Sequence, residues 1–294
     1  MIVLKLSGGL GNQMFQYAAG LSLADRLNVD LRLDLTDYEN KEREHERFDL
    51  QRAFGISGKL AEERDYVSTL GILSLKWSRQ RLNTNNWAWI RPKNYILEPH
   101  LHFWPGFYEL KGNIYLEGYW QSERYFERIK EKVRSKFTFN NNLDDTNRKM
   151  LNSINEVESV AIHVRRGDYY SVEQNRAVHG VDLSKYYISA VRELRRVIDK
   201  PHFFLFSDEP DWVHRNFNIS EPFTIVGHNV GYESYRDMQL MSTCKHQIIA
   251  NSSFSWWGAW LNSSPRKIVI APKHWLNGHE PSPVDIYFTG SVIL

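Results

Sequence analysis

The sequence has a single cysteine, Cys244, among 294 residues. That excludes an intramolecular disulfide, and no Cys/His spacing along the chain reads as a zinc site. An excess of one charge is also missing: 37 Lys+Arg stand against 35 Asp+Glu, a formal net charge of +2. So even a balance argues against nucleic acid as a partner and makes any basic site a local one. No apolar run approaches the ~20 residues of a membrane span. Met1–Leu6 is too short for a signal core before Gly8-Gly9 breaks it. Asn-x-Ser sequons at Asn218, Asn251 and Asn262 carry little weight without a secretion signal. The expectation is a cytoplasmic protein, at most peripheral to the inner membrane. Internal repeats and low-complexity tracts are absent too.

Aromatic residues are abundant, at 14% with 10 Trp. Trp and Tyr present an apolar face with a polar tip, a surface suited to sugars, although a Trp-rich core explains the same composition. The length favours two domains, since single cores stop growing at about 250–300 residues.

Ile2–Leu6 reads as a strand, Gly8-Gly9-Leu10-Gly11-Asn12-Gln13 as a glycine loop, Gln13–Leu27 as a helix and Val29–Leu35 as a second strand. Lys41–Arg47 is a mixed charge run that suits a solvated face. Ile114–Tyr119 reads as a strand, and Ser122 as the cap of a helix through Phe137, with Phe126, Ile129, Val133 and Phe137 inside. Asn140-Asn141-Asn142 and Asp144-Asp145 break the pattern, which sets the domains at 1–145 and 146–294. In the second half, strands at Val160–Val164, Phe203–Phe206, Phe223–Val226, Gln247–Ala250 and Lys267–Ile270 alternate with helices at Ser184–Ile198, Glu233–Cys244 and Ser255–Leu261. This alternation predicts an α/β fold with parallel sheets, two Rossmann-type domains facing across a cleft.

Ligands of such sheets bind beyond the carboxyl ends of the strands. Polar clusters fall there at Ser7-Gly8-Gly9, His163 to Asp168, Ser207-Asp208-Glu209 and Asn251-Ser252-Ser253. In His163-Val164-Arg165-Arg166-Gly167-Asp168-Tyr169, two adjacent arginines need anionic partners, and the guanidinium fork suits phosphate oxygens. Salt bridges alone explain an arginine pair equally well. Ser252 and Ser253 suit a helix N-cap, and a helix N-terminus with free N–H groups also takes phosphate. The glycine loop is neither Gly-x-Gly-x-x-Gly nor a Walker loop, and a plain tight turn accounts for it as well. No Asp-x-Asp pair occurs in the half with the arginines, so no seat for Mg²⁺ is evident. Arginine and helix N–H groups would then neutralise a leaving diphosphate. Arg166-Gly167-Asp168 is also the tripeptide of adhesion ligands, which leaves a non-catalytic glycan-binding or adhesion protein as an alternative of a different class.

Together, Gly8 to Tyr17, Gly118-Tyr119-Trp120-Gln121-Ser122-Glu123, His163 to Tyr169, Phe206-Ser207-Asp208-Glu209 and Asn251 to Gly258 resemble the family-11 glycosyltransferases, α-1,2-fucosyltransferases that use GDP-L-fucose. The resemblance runs in order over nearly the whole chain. It implies a GT-B-like fold with the donor on the C-terminal domain and the acceptor on the N-terminal one. It implies that Arg165 binds the diphosphate, that His163 lies against the nucleoside, and that Ser252 and Ser253 hold the β-phosphate. Asp237 would read guanine, and Asn12 and Gln13 would approach the fucose or diphosphate. Gly9, Gly11, Asp208 and Asn251 lie within the same donor-binding motifs. The reaction would invert the anomeric centre, moving fucose to the 2-hydroxyl of a terminal β-galactoside in an oligosaccharide or O-antigen glycan. Candidate bases are Asp168, unless an ion pair with Arg166 depresses its basicity, then Glu173, then His179. The partners implied are a nucleotide sugar and a glycan acceptor, with no cofactor and no metal. A transferase of the same fold with another nucleotide sugar remains the alternative.

Overall fold

The computed structural model describes residues 1–39, 47–140, 143–278 and 284–294. Most of the charge run Lys41–Arg47, and Asn141-Asn142, lie outside the described residues. The chain forms two compact units, Met1–Asn140 and Asn141–Leu294. The division falls slightly ahead of the one read from sequence. Asp144 already belongs to the second unit: it caps the helix Asp145–Asn155, accepting from the Asn147 N–H at 2.8 Å.

The first unit holds strands β1 (Ile2–Lys5), β2 (Leu31–Asp34), β3 (Lys59–Leu60), β4 (Tyr95–Leu97) and β5 (Ile114–Glu117). They form a parallel sheet in the order β3-β2-β1-β5-β4. Ile2, Val3, Leu4 and Leu6 are wholly buried, as a central strand covered on both faces requires. The helix Leu10–Leu27 crosses β1 closely enough that a Cβ on Gly20 would meet Leu4 Cδ2 at 2.8 Å. It ends at Asn28 in the left-handed region, φ 54°, a conformation asparagine tolerates. Strands β3 and β4 escape a periodicity reading because two or three residues cannot display a period.

The helix expected over Ser122–Phe137 is broken. Two 3₁₀ turns, Glu123–Tyr125 and Glu127–Ile129, precede a helix that covers only Lys130–Lys136. Phe126 leaves the helical region (φ −133°, ψ 12°), and the consecutive rings of Tyr125 and Phe126 are both buried. Of the expected stripe, Phe126, Val133 and Phe137 are inside, while Ile129 is only half-buried.

The second unit holds β6 (Glu158–Val164), β7 (Pro201–Ser207), β8 (Phe223–Val226), β9 (His246–Ile248), β10 (Val269–Ala271) and β11 (Ser291–Ile293), also parallel. Their order is β11-β10-β9-β6-β7-β8. Reading outward from β6, the chain adds β7 and β8 on one side, then crosses to β9, β10 and β11 on the other. This is the doubly wound order, with its switch point between β6 and β9, where ligands of such sheets bind. Val160, Ile162, Val164, Phe203 and Leu205 pack with Tyr186, Tyr187, Ala190 and Leu194 of the helix Ser184–Arg195. Trp256, Trp257 and Trp260, from the helix Ser253–Leu261, are fully buried core residues. Much of the tryptophan content therefore serves packing.

Candidate active site

The end of β6 presents Arg165 and Arg166, and the end of β7 supplies an acid for each. Arg165 Nη1 lies 2.7 Å from Asp208 Oδ2 and its Nη2 pairs with Asp168. Arg166 Nε lies 3.3 Å from Glu209 Oε2. The Arg166 guanidinium also sits 3.7 Å over the Trp212 ring and 4.3 Å over Tyr170, a geometry that adds cation–π attraction. The other Asp208 oxygen accepts the Arg166 backbone N–H at 3.0 Å. Asp208 therefore fixes the guanidinium fork of Arg165. A Cβ on Gly167 would come within 2.4 Å of Asp208 Oδ2, so any side chain here would displace that carboxylate.

Asp168 pairs with Arg165 and not with Arg166, the ion pair that the sequence left open as the alternative to a base. Its second oxygen accepts from Asn175 Nδ2 at 2.9 Å. Both oxygens of the Asp168 carboxylate are therefore already engaged by side chains, one by the Arg165 guanidinium and the other by the Asn175 amide. Among the other candidates, Glu173 is exposed in the first turn of the helix Glu173–His179. His179 is stacked on Tyr169 with ring centroids 4.8 Å apart, and burial lowers its pKa. Arg166-Gly167-Asp168 is folded into these pairings and not displayed, which removes the structural basis of the adhesion alternative.

His163 lies inside β6 and is 5% exposed. Burial pushes its pKa down to about 4, so the ring is neutral. Its Nδ1 is buried and has no hydrogen-bond partner among the described residues, and the ring centroid is 5.7 Å from that of Phe254. A neutral ring with an unanswered nitrogen can meet a donor or acceptor on a ligand.

Across the switch point, Ser252 caps the helix Ser253–Leu261, accepting from the Phe254 N–H at 3.3 Å. Ser253 opens the helix at its dipole-positive end. Tyr169 Oη donates to the Asn251 carbonyl at 3.4 Å, which ties the loop after β6 to the loop after β9. The Asn251 amide, expected at the donor, donates instead to the carbonyls of His179 and Trp275 at 3.0 and 3.1 Å. It is a staple between loops, because its nitrogen is consumed by two backbone carbonyls.

Asp237, on the helix Tyr235–Thr243, is buried, and desolvation raises its pKa to about 8. Its Oδ1 accepts from Asn229 Nδ2 at 2.8 Å. Asn229 and Asn147 exchange amide hydrogen bonds of 2.9 and 3.0 Å, and Asn147 in turn donates to its own cap, Asp144. Asp237 thus ends a chain of side-chain amides that begins at the start of the unit.

In the first unit, the loops after β1 and β5 meet at that sheet's own switch point. Gln121 Nε2 donates to Asn12 Oδ1 at 2.9 Å, and Gln16 Nε2 donates to the Gly118 carbonyl at 3.1 Å. Gly8 takes φ 72° and its carbonyl accepts from Tyr38 Oη at 2.9 Å. Gly9 and Gly11 flank the start of the helix, Gly9 as its N-cap. Gln13 is wholly buried: its amide donates to the carbonyls of Gly8 and Arg47 and accepts from the Asp49 N–H at 2.9 Å. Gln13 shapes the loop and has no amide group left to offer a ligand, contrary to the sequence reading. Among the described residues no group of three or more His, Cys, Asp or Glu could hold a metal ion, and no helix is long and apolar enough to cross a membrane.

The profile of glycosyl transferase family 11 matches residues 78–288, most of the chain. An α-1,2-colitosyltransferase of Escherichia coli is 36% identical over 96% of this chain and 97% of its own.

The chain belongs to glycosyltransferase family 11.

A second E. coli relative, the O-antigen biosynthesis glycosyltransferase WbnK, is 31% identical over 94% of this chain and 95% of its own. The solved fucosyltransferase NodZ from Bradyrhizobium shares the fold, with a TM-score of 0.50 at 13% identity over 91% of this chain and 94% of that one. This family-11 transferase therefore has an α/β, GT-B-like fold of parallel-sheet units. Sequence reasoning missed the supports of its site. Asn147, in the first turn of the helix Asp145–Asn155, and Asn229 had no signal beyond polar surroundings in the sequence, and Trp212 and Tyr170 had only their residue type.

Proposed function

We propose that this glycosyltransferase transfers L-fucose from GDP-L-fucose to the 2-hydroxyl of a terminal β-galactoside, with inversion at the anomeric carbon. The observation that carries the reading is Arg165, aimed by Asp208 and Asp168 at the end of β6, across the switch point from the helix N-terminus at Ser252 and Ser253. A guanidinium fork and a helix dipole on opposite sides of one crevice suit the charge of a departing diphosphate. His163 would lie against the nucleoside, and the Asp237 carboxylate would accept the two N–H groups of the guanine edge. The first unit would hold the acceptor. The leaving group would be neutralised without a metal.

A second donor has support of its own. The colitosyltransferase relative matches almost end to end, and colitose is L-fucose without its 3-hydroxyl. Both sugars could share the nucleotide and diphosphate contacts, so discrimination would fall to side chains near the sugar's C3. Turnover of GDP-L-fucose and GDP-colitose, each with methyl β-D-galactopyranoside, tests the reading. Transfer from GDP-L-fucose to O2 supports it. Exclusive use of GDP-colitose replaces the donor, and use of a UDP-sugar overturns the nucleotide assignment.

A further inference from the structure

The loop after β5 in the first unit is built in an unusual way. Gly118 has φ 153°, and a Cβ on it would come within 2.4 Å of Glu98 Cβ. Two residues later Trp120 sits at φ 56°, a left-handed conformation that is rare for a bulky side chain. Such strain persists only where the surroundings hold it in place. Here Glu98 does so: its carboxylate accepts the backbone N–H of Tyr119 at 2.7 Å and that of Trp120 at 3.0 Å. The Trp120 ring anchors the loop from below. It is wholly buried against Phe107 and Tyr125, with centroids 5.5 and 5.3 Å away.

Between these two fixed residues stands Tyr119, 45% exposed. The adjoining Trp120 spends its ring on the core, whereas Tyr119 remains close to half exposed. It also lies at the carboxyl end of β5, beside β1, at the switch point where parallel sheets take ligands. Gln121, two residues on, reaches Asn12 in the facing loop. A half-exposed aromatic residue on a backbone held rigid, in a loop that also carries a side-chain amide, has the chemistry to take a pyranose: an aromatic face suits the apolar C–H face and amides suit hydroxyls.

We propose that Tyr119 is the stacking platform for the acceptor hexopyranose and that Glu98 is its positioning residue. The proposal rests on the reading above that the first unit holds the acceptor. Stacking fixes the orientation of the acceptor ring on this loop, so the loop would contribute to acceptor choice as well as to affinity.

The test is steady-state kinetics of the full chain, after the wild type has selected its acceptor from a panel of methyl hexopyranosides. Tyr119→Ala should raise the acceptor KM about tenfold, the scale of one aromatic contact. GDP affinity and donor hydrolysis without acceptor should stay at wild-type levels, and Tyr119→Phe should restore the KM. An acceptor KM within twofold of wild type in Tyr119→Ala, or an equal loss of GDP affinity, overturns the proposal. Failure of the β-galactoside in the wild type refutes the acceptor named above. The Tyr119 comparison then runs on the hexoside that is turned over, and turnover of none of them defeats both readings.

Discussion

Arg165 and Asp208 meet Nη1 to Oδ2 at 2.7 Å, and the second Asp208 oxygen holds the backbone N–H of the next residue. One carboxylate thus sets both the direction of the guanidinium and the path of the chain that carries it. Arg165 has protein partners even without a ligand. Arg165→Ala should lower kcat/KM by at least ~100-fold, the loss typical of removing one donor that stabilises transition-state charge. It should also lower stability by roughly 1–2 kcal/mol, because Asp168 and Asp208 are left facing each other while partly solvated. Enzyme assay and thermal melting read the two effects. Near wild-type turnover in a folded variant would remove Arg165 from the diphosphate.

Gly167→Ala tests the same relationship without touching a charge. The added methyl meets Asp208 Oδ2 at 2.4 Å, and must push the carboxylate off Arg165. GDP affinity should fall at least several-fold. A GDP titration indistinguishable from wild type would show that the Arg165–Asp208 pairing does not matter for donor binding.

Asp237 predicts a pH dependence of GDP binding. With its pKa raised to about 8 by burial, the ligand-free side chain is protonated at neutral pH. Guanine's N–H groups need the carboxylate. Affinity should therefore rise with pH and level off above about pH 8, with a slope approaching tenfold per unit well below it. Asp237→Asn should flatten the profile and weaken selectivity for GDP over ADP. Calorimetry between pH 6 and pH 9 measures it, and a flat wild-type profile contradicts guanine reading by this carboxylate.

Stability carries two opposed contributions in acid. His163 has its pKa lowered from 6.5 to about 4, so the unfolded chain binds the proton first. Its contribution is present above about pH 6.5 and is lost as pH falls towards 4. Asp237 runs the other way: raised from 3.8 to about 8, it contributes most below about pH 4 and loses this as pH rises through 8. Urea denaturation at pH 7 and pH 5 should show a smaller acid loss in His163→Phe than in wild type. Equal acid losses would mean that His163 titrates normally in the folded chain.

Metal dependence separates two ways of neutralising the leaving group. Turnover should continue in excess EDTA, with Arg165 and the helix N-terminus carrying the charge. Abolished activity restored by Mg²⁺ or Mn²⁺ would refute this.

Local pattern and tertiary context contributed differently to the site. The strands of the second sheet other than β11 were legible because buried parallel strands are short apolar runs between amphipathic helices, whereas β11 is three residues long and partly exposed. The ends of β6 and β9 were legible because a parallel sheet puts its polar clusters at carboxyl ends. The break in the expected helix over Ser122–Phe137 was not, since burying both Tyr125 and Phe126 depends on what packs against them.

The sequence by itself determined the α/β class, the family motifs and the residue types gathered at the strand ends, all of which are encoded in local order. Only the tertiary structure decided how those residues are used. It paired Arg165 with Asp208 and Arg166 with Glu209, turned Gln13 and Asn251 into staples, and joined Asp237 to Asn229 and Asn147. The reason is physical. A polar group's role depends on which partners lie within hydrogen-bonding reach and how far burial has removed water, and those partners come from segments far apart in the chain.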